Sequence, residues 1–380
     1  MQRDMHYYGT YVMARAAGIK QDVARIIASA AQFVDDNAAK KSVEFKDGGA
    51  LHSRPTAHHA VHLKNLDRED QRFVWVPFHF LPGCCGDTPE TPLEKVDFTE
   101  KLVCRNGSKT AEAMVNNHLD QHEEEFSDEL IGITAHVLAD TYSHYGFSGV
   151  SSRYNKIVND SFDLDVDGSL PEETKAYLHK REKEFRKKFS EESGWLENIK
   201  SWFAETLSGA LGHGPACTFP DRPYLKWKFT YEDPERPSQV RDNPATFLQA
   251  CKELHKMFAD YASRKPAIST GTGAIPFGTI EAEVDAILRF GSNEGDQVPT
   301  EEERSNKWIE AVTKNKLLGQ NEDFPEYLGI EWLKEKSKMH GDKHSEPAKN
   351  KSIYQFYQAA SYHRHYVLRK LLPKYGLIVA

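Results

Sequence analysis

The sequence has no CxxC pair, no apolar run of bilayer-crossing length and no excess of positive charge. Its cysteines are the adjacent Cys84 and Cys85 and the scattered Cys104, Cys217 and Cys251. Without paired spacing they exclude a zinc ribbon, and their small number fits reduced thiols in an intracellular protein. No stretch of about 18 apolar residues occurs, so no membrane span is expected. The start, MQRDMHYYGTYVMARAAG, lacks the apolar core and cleavage site of a secretory signal, so a cytoplasmic location is expected. A formal net charge of −8 argues against a basic nucleic-acid coat, and no nucleic-acid partner is expected. There is no internal repeat and no alternation of strand and helix patterns, which excludes solenoids and parallel α/β sheets.

What is present is helical spacing. Residues 5–17 read as a helix stopped by Gly18, and 22–36 as a second with Val23, Ile26, Ile27, Ala30 and Phe33 on one face. Further helices are expected at 108–120, 127–145, 172–190, 194–212, 243–262, 281–290, 300–315 and 352–371. Residues 45–65 and 211–229 read as loops, FVWVPFHFLPG (73–83) as a strand or an extended buried segment, and 341–352 as polar and mobile. The expected fold is all-α: a single multi-helix domain over residues 1–380, with long ordered loops and a zinc site among core helices. The C-terminal helices from about residue 240 are expected to pack on that core.

Histidine is abundant, with 17 residues, and it clusters. ITAHVLADTYSHYGFSG (133–149) sets His136, Asp140 and His144 four residues apart, on one face of a helix. Two readings fit: a metal-binding helix, or a buried helix with a hydrogen-bonded His–Asp pair. A carboxylate buried beside two imidazoles needs compensation, and a divalent cation supplies it. Other donors favour the metal. His6 and Asp4 sit in the first helix, and Asp35 and Asp36 end the second. His58 and His59 lie in a loop, His213 in Gly-His-Gly, and Asp221 in Pro-Asp-Arg-Pro. Together they suffice for one to three zinc ions.

The segments MQRDMHYYGTYVMARAAGI, IASAAQFVDD, AHVLADTYSHYGFSG and LGHG…PDRPYL resemble a bacterial and fungal family catalogued mainly as a domain of unknown function. The likeness runs over residues 1–230 and more weakly to the C-terminus. That family in turn is distantly similar to the all-α zinc-dependent phospholipase C and single-strand nuclease fold. The resemblance implies a main site of Asp35, one of His58 and His59, His136 and Asp140. It implies a second of His144, His213 and Asp221, with Asp4 or His6 near the place of an N-terminal Trp ligand. The chain lacks that Trp, and it spaces its last histidine closer than those enzymes do. Some fungal proteins of this general look are cyclopenases, zinc enzymes of quinolone alkaloid biosynthesis.

Three functions follow. As a cyclopenase-like lyase, the protein would convert a benzodiazepinedione epoxide to a 3-hydroxy-4-arylquinolin-2-one with loss of methyl isocyanate. Zinc would act as Lewis acid, Asp36 or Asp221 would move the proton, and Tyr142, Tyr145, Phe78, Phe80, Trp75 and Tyr224 would line the pocket. As a phosphodiesterase or phospholipase C-like hydrolase, it would use Arg222 and Arg54 to meet the phosphate. The third function is non-catalytic metal binding. The expected partner is a small aromatic substrate, with a homodimer left open. DLDVDG (163–168) begins like a calcium loop, but Thr174 stands where a Glu is needed, so an acidic turn is expected. His363 and His365, two apart on a helix, are expected to face the surface or an interface.

Overall fold

Helical spacing becomes helix throughout the computed structural model. It describes the chain except residues 39–41, 58–70, 87–94, 159–160, 167, 169, 171, 181–182, 184–210, 237, 293–298 and 379–380. A wide π-helical turn, Asp4–Gly9, runs into α1 (Thr10–Ala16), and Gly18 at φ +88° ends it. Then come α2 (Gln21–Asp36), α3 (Lys109–Leu119), α4 (Ser127–Ser143) and α5 (Asn243–Arg264). The series closes with α6 (Phe277–Leu288), α7 (Glu301–Thr313), α8 (Gly329–Lys338) and α9 (Ser352–Tyr366). Three of these helix starts carry side-chain caps. Ser108 Oγ accepts from Ala111 N at α3, Asp242 from Ala245 N at α5, and Thr300 and Glu303 form a reciprocal box at α7.

Sheet is slight among the described residues. β1 (Val43–Glu44) pairs antiparallel with β2 (Ala50–Leu51), and β3 (Lys226–Phe229) with β4 (Gln239–Asp242), Trp227 opposite Arg241. The fold is thus all-α and multi-helix, and no described helix is long and apolar enough to cross a membrane.

The organising element is α4. Nearly all of its residues are buried, so it is a helix wrapped on every side rather than an amphipathic one. It packs against α2, α3, α5 and α9. Its closest approach is to α2 at Gly132. A Cβ there would lie 2.3 Å from the Ile27 carbonyl oxygen and 2.6 Å from Ala30 Cβ. A second, smaller core of Phe147, Phe219, Trp227, Phe229 and Tyr231 forms around the β3–β4 hairpin. The hairpin sends the buried Arg241 to the end of α4. Its guanidinium donates to the Ser143 carbonyl at 3.0 Å and to the Tyr145 carbonyl, meeting both the open acceptors and the negative end of the helix dipole.

Three sequence expectations are corrected. The segment FVWVPFHFLPG is no strand, because Gln71–Trp75 is a π-helical turn that continues as helix through Val76–Phe78. The helix α8 was not expected, since its short span buries little beyond Trp332 and the stem of Lys336. His363 is not at the surface. It is fully buried, donating from Nε2 to the Pro77 carbonyl at 2.7 Å and standing 3.2 Å from His118 Nε2, while His365 is exposed. The DLDVDG segment is a turn closed by its own partners. Asp163 accepts from Asp165 N, and Asp165 accepts from Leu170 N and pairs with Lys175 at 2.7 Å. Most of the expected 194–212 helix lies outside the described residues.

Two predictions follow from α4. Gly132→Ala forces the α2–α4 contact apart and should cost about 2–3 kcal/mol in chemical denaturation, as overpacking against rigid backbone does. The second concerns Glu129, buried in the first turn of α4, where burial pushes its carboxyl up from 4.5 to about 8. The unfolded chain therefore loses this proton near 4.5 while the folded one keeps it until about 8. Stability is lost as pH rises through that window. Glu129→Gln should grow more stable relative to the parent between pH 5 and pH 8, by up to a few kcal/mol. A difference that does not change with pH would contradict this assignment.

Candidate metal centre

Side chains from five parts of the chain converge on one face of α4. His136 and Asp140 stand one turn apart on the helix, and His144 is its C-terminal cap residue. Asp35 comes from the last turn of α2, and His6 from the π-helical turn before α1. His79 follows the Val76–Phe78 turn, and His213 and Asp221 flank the 3₁₀ turns of the 211–222 loop. Wide π turns are unusual and recur at functional sites, because the extra residue re-aims a side chain. Here two of them, before His6 and before His79, serve the same cluster.

The donors form three groups, each with atoms within 4.8 Å of one another: His6, His136 and Asp140; Asp35, His79 and His136; His144, His213 and Asp221. Within them, His136 Nε2 lies 3.2 Å from Asp140 Oδ2 and 3.9 Å from Asp35 Oδ1. His6 Nε2 is 3.2 Å from Asp140 Oδ1, and His79 Nδ1 is 3.7 Å from Asp35 Oδ1. His144 Nε2 is 3.1 Å from Asp221 Oδ1, and His213 Nε2 is 3.5 Å from Asp221 Oδ2. Ligand bonds of about 2.1 Å at tetrahedral angles place donor atoms roughly 3.3 Å apart, so the spacing suits a shared cation. Asp140 ties the groups together, facing His6 with one oxygen and His136, His79 and His144 with the other, and His136 belongs to two of the groups, while Asp221 serves the third. The α-amino group of Met1 lies between the two carboxylates, 2.7 Å from Asp140 Oδ1 and 3.2 Å from Asp221 Oδ1.

The outer nitrogens of the rings settle what the inner ones carry. A carbonyl oxygen only accepts, so each imidazole nitrogen bonded to one must bear the proton. His136 Nδ1 donates to the Ala31 carbonyl at 2.9 Å, and His79 Nε2 to that of Thr56 at 2.8 Å. His144 Nδ1 donates to the His79 carbonyl and His213 Nδ1 to that of Cys217, both at 2.8 Å. In the neutral rings the nitrogens facing the cluster are therefore lone pairs. His136 Nε2 and His79 Nδ1 meet at 3.3 Å, and the rest face carboxylate oxygens. Lone pairs and anions in contact repel unless positive charge stands among them. The Met1 ammonium relieves the contacts of Asp140, Asp221 and His144, a proton on His79 relieves another, and divalent ions would relieve the rest. Backbone carbonyls fixing the tautomer of inward-facing histidines are the outer-shell arrangement of metal sites. His6 adds a ring stacked on His136 at 3.8 Å, with neither nitrogen hydrogen-bonded.

Electrostatics in the protein alone follow the same logic. Burial would push Asp140 up, but His144, the Met1 ammonium, His136 and His6 outweigh it and hold the carboxyl well below the usual range. Asp221 is likewise held down against burial by the Met1 ammonium, His213 and His144. Burial pushes Asp35 up, against the pull of His136 and His79. Burial also depresses His6 and takes His213 down to about 4. The Met1 amine rises to about 11 because Asp140, Asp221 and Asp35 overcome its burial.

Of the residues singled out in the sequence, the structure brings together His6, Asp35, His136, Asp140, His144, His213 and Asp221. His58 and His59 lie outside the described residues. Asp36, one position beyond Asp35, turns outward and accepts from Tyr327 Oη at 2.6 Å, apart from the three groups. Asp4 is engaged by Arg304 at 2.6 Å. Tyr142 is packed in the main core, and Phe78 against His363. His79 escaped sequence reading. Its one signal was a histidine set alone among aromatics in W-V-P-F-H-F, a place where a polar ring needs a partner.

Protein purified without added metal should carry at least one divalent transition-metal ion per chain by elemental analysis, and chelation should lower its melting temperature. His136→Ala and Asp140→Asn should each lose most of that metal. A metal bound at 100 times its Kd contributes about 2.7 kcal/mol, enough to read by calorimetry. Well under one ion per chain, with unfolding unchanged by chelator, would sink the metal assignment.

No functionally curated protein and no solved structure matches the chain. A family profile does match, over residues 1–371 of the 380. The chain belongs to the family described as a family of unknown function, DUF6765.

Proposed function

We propose that this protein is a metal-dependent hydrolase of phosphoesters, with zinc as the ion and more than one ion in the cluster. The observation that carries the proposal is the convergence of lone-pair nitrogens on three donor groups joined through His136 and Asp140. Nitrogen and carboxylate donors without thiolate suit zinc and its first-row neighbours. Adjacent divalent ions, when bound, polarise a phosphoryl group and activate water. The chain's own residues do the rest. Asp140 and Asp221 set the spacing, the carbonyls of Ala31, Thr56, His79 and Cys217 fix the rings, and the surrounding core excludes bulk water. Asp35 is the ligand that faces outward, its side chain 34% exposed, and it marks where a substrate reaches the cluster. The likeness to the phospholipase C and nuclease fold is part of this proposal, and the helix with His136 and Asp140 is what supports it.

The cyclopenase-like reading needs an aromatic pocket beside the ions, and the structure supports it less well. Phe80 stacks on His144, Tyr224 bonds Arg222, Tyr145 lies under Arg241, and Tyr142 and Phe78 are packed in the core. The second reading is non-catalytic metal binding, favoured by the depth of the His6, His136 and Asp140 group. A single assay separates the three. The metal-loaded protein is given bis(p-nitrophenyl) phosphate and, separately, cyclopenin. Phosphodiester turnover that chelator abolishes and zinc restores, falling at least about 100-fold in Asp140→Asn, is expected. Turnover of cyclopenin alone would replace the proposal, and inactivity on both with full metal content would leave the binding protein.

A further inference from the structure

Beside the cluster stands a cation that the protein does not use. The guanidinium of Arg3 makes no hydrogen bond and no ion pair with any described residue, and its Nε is buried without a partner. Arg3 precedes His6 by three residues and stands at the start of the π-helical turn that carries His6 into the cluster. Its guanidinium carbon sits 5.0 Å from the centre of the Tyr327 ring. That tyrosine donates to Asp36, whose neighbour is the outward-facing ligand Asp35, and both Arg3 and Asp35 act electrostatically on Tyr327 and on Glu301. Of the nearby carboxylates, Asp36 is held by Tyr327 and Gln32 and Asp4 by Arg304, while Glu301, on which Arg3 acts electrostatically, forms no ion pair with it. The other arginines considered for phosphate are placed differently. Arg222 is buried and spends its donors on Thr218 and Tyr224, while Arg54 is exposed at the surface.

An unpaired arginine held over an aromatic face at the opening of a cationic cluster is arranged for an anion. The planar fork matches two oxygens of one phosphoryl group, and Tyr327 lies against the guanidinium in a cation–π contact that uses none of its N–H donors. We propose that Arg3 is a phosphoryl-binding arm of this site, taking the non-bridging oxygens of a phosphoester whose reacting end lies at the Asp35 side of the cluster. The inference rests on the metal-hydrolase reading for the position of that reacting end, and on Arg3 alone for the anion.

The test is calorimetric titration of the metal-loaded protein with inorganic phosphate, with acetate as a second titrant and metal content measured on the same samples. Arg3→Gln should weaken phosphate binding at least 10-fold with its metal content unchanged. Arg3→Lys, which keeps the charge but not the fork, should recover only part of the loss. Acetate should be affected far less. Unchanged phosphate affinity in Arg3→Gln, full rescue by Arg3→Lys, no phosphate binding by the parent at millimolar concentration, or an equal loss for acetate would each overturn the arm. Phosphate binding that depends on Arg3 in a metal-loaded protein with no chelator-sensitive turnover of bis(p-nitrophenyl) phosphate would uphold the arm and sink the hydrolase reading, so the two fail separately.

Discussion

A carboxylate buried in the middle of an all-buried helix is the constraint on which this structure depends. Asp140 is 1% exposed, so its charge is balanced by groups packed directly against it rather than by bulk water. The partners come from residues 1, 6, 79, 136 and 144, which bind the beginning of the chain, the 71–79 turn and the central helix to one point. A pair would satisfy one oxygen. This arrangement presents donors to both, which is why the cluster extends in two directions from Asp140 rather than ending in an ion pair.

The scaffold serves that point with little freedom. Because α4 is wrapped on every side, its position is set by α2 at Gly132 and by Arg241 at its end, and His144 leaves the helix in one direction only. Gly146, at φ +84°, then turns the chain under Tyr231, where a Cβ would lie 2.5 Å from the hydroxyl. That turn leads into the smaller aromatic core that carries Phe219 and, beside it, Asp221. The two cores are thus joined through the candidate site itself: one delivers His136 and Asp140, the other Asp221.

How much of this was legible depends on whether a residue's role is local. Helix α4 announced itself by four-residue spacing, and Asp35 by its place at the end of an amphipathic helix. The choice between Asp35 and Asp36 was not legible in spacing alone, because adjacent helical residues point about 100° apart and only the packed structure says which one faces inward. His79 was hidden because its segment reads as an apolar strand, while the π turn that aims it is a tertiary effect with no sequence period. His363 misled for the opposite reason. Two histidines two apart look like a polar helix face, yet α9 is packed between α4, α8 and the 76–78 turn, and the His363 ring finds its acceptor on the Pro77 carbonyl.

The asymmetry of the cluster carries the last step. Four of its imidazole rings are oriented by carbonyls of the protein interior, and two of its carboxylates are enclosed. Among the described residues of the three groups, Asp35 has the most exposed side chain, at 34%. A site built solely to hold ions as structural ties would gain from closing that side as well, since every open donor is one that water competes for. Here the open side carries an unpaired guanidinium and an aromatic face instead of a lid of apolar packing. Three divalent ions would bring six positive charges against the three carboxylates of the groups, and Arg3 adds one more at the opening. With those ions bound, the excess on that side would be positive despite Asp36 and Glu301, so an anion is what it would hold.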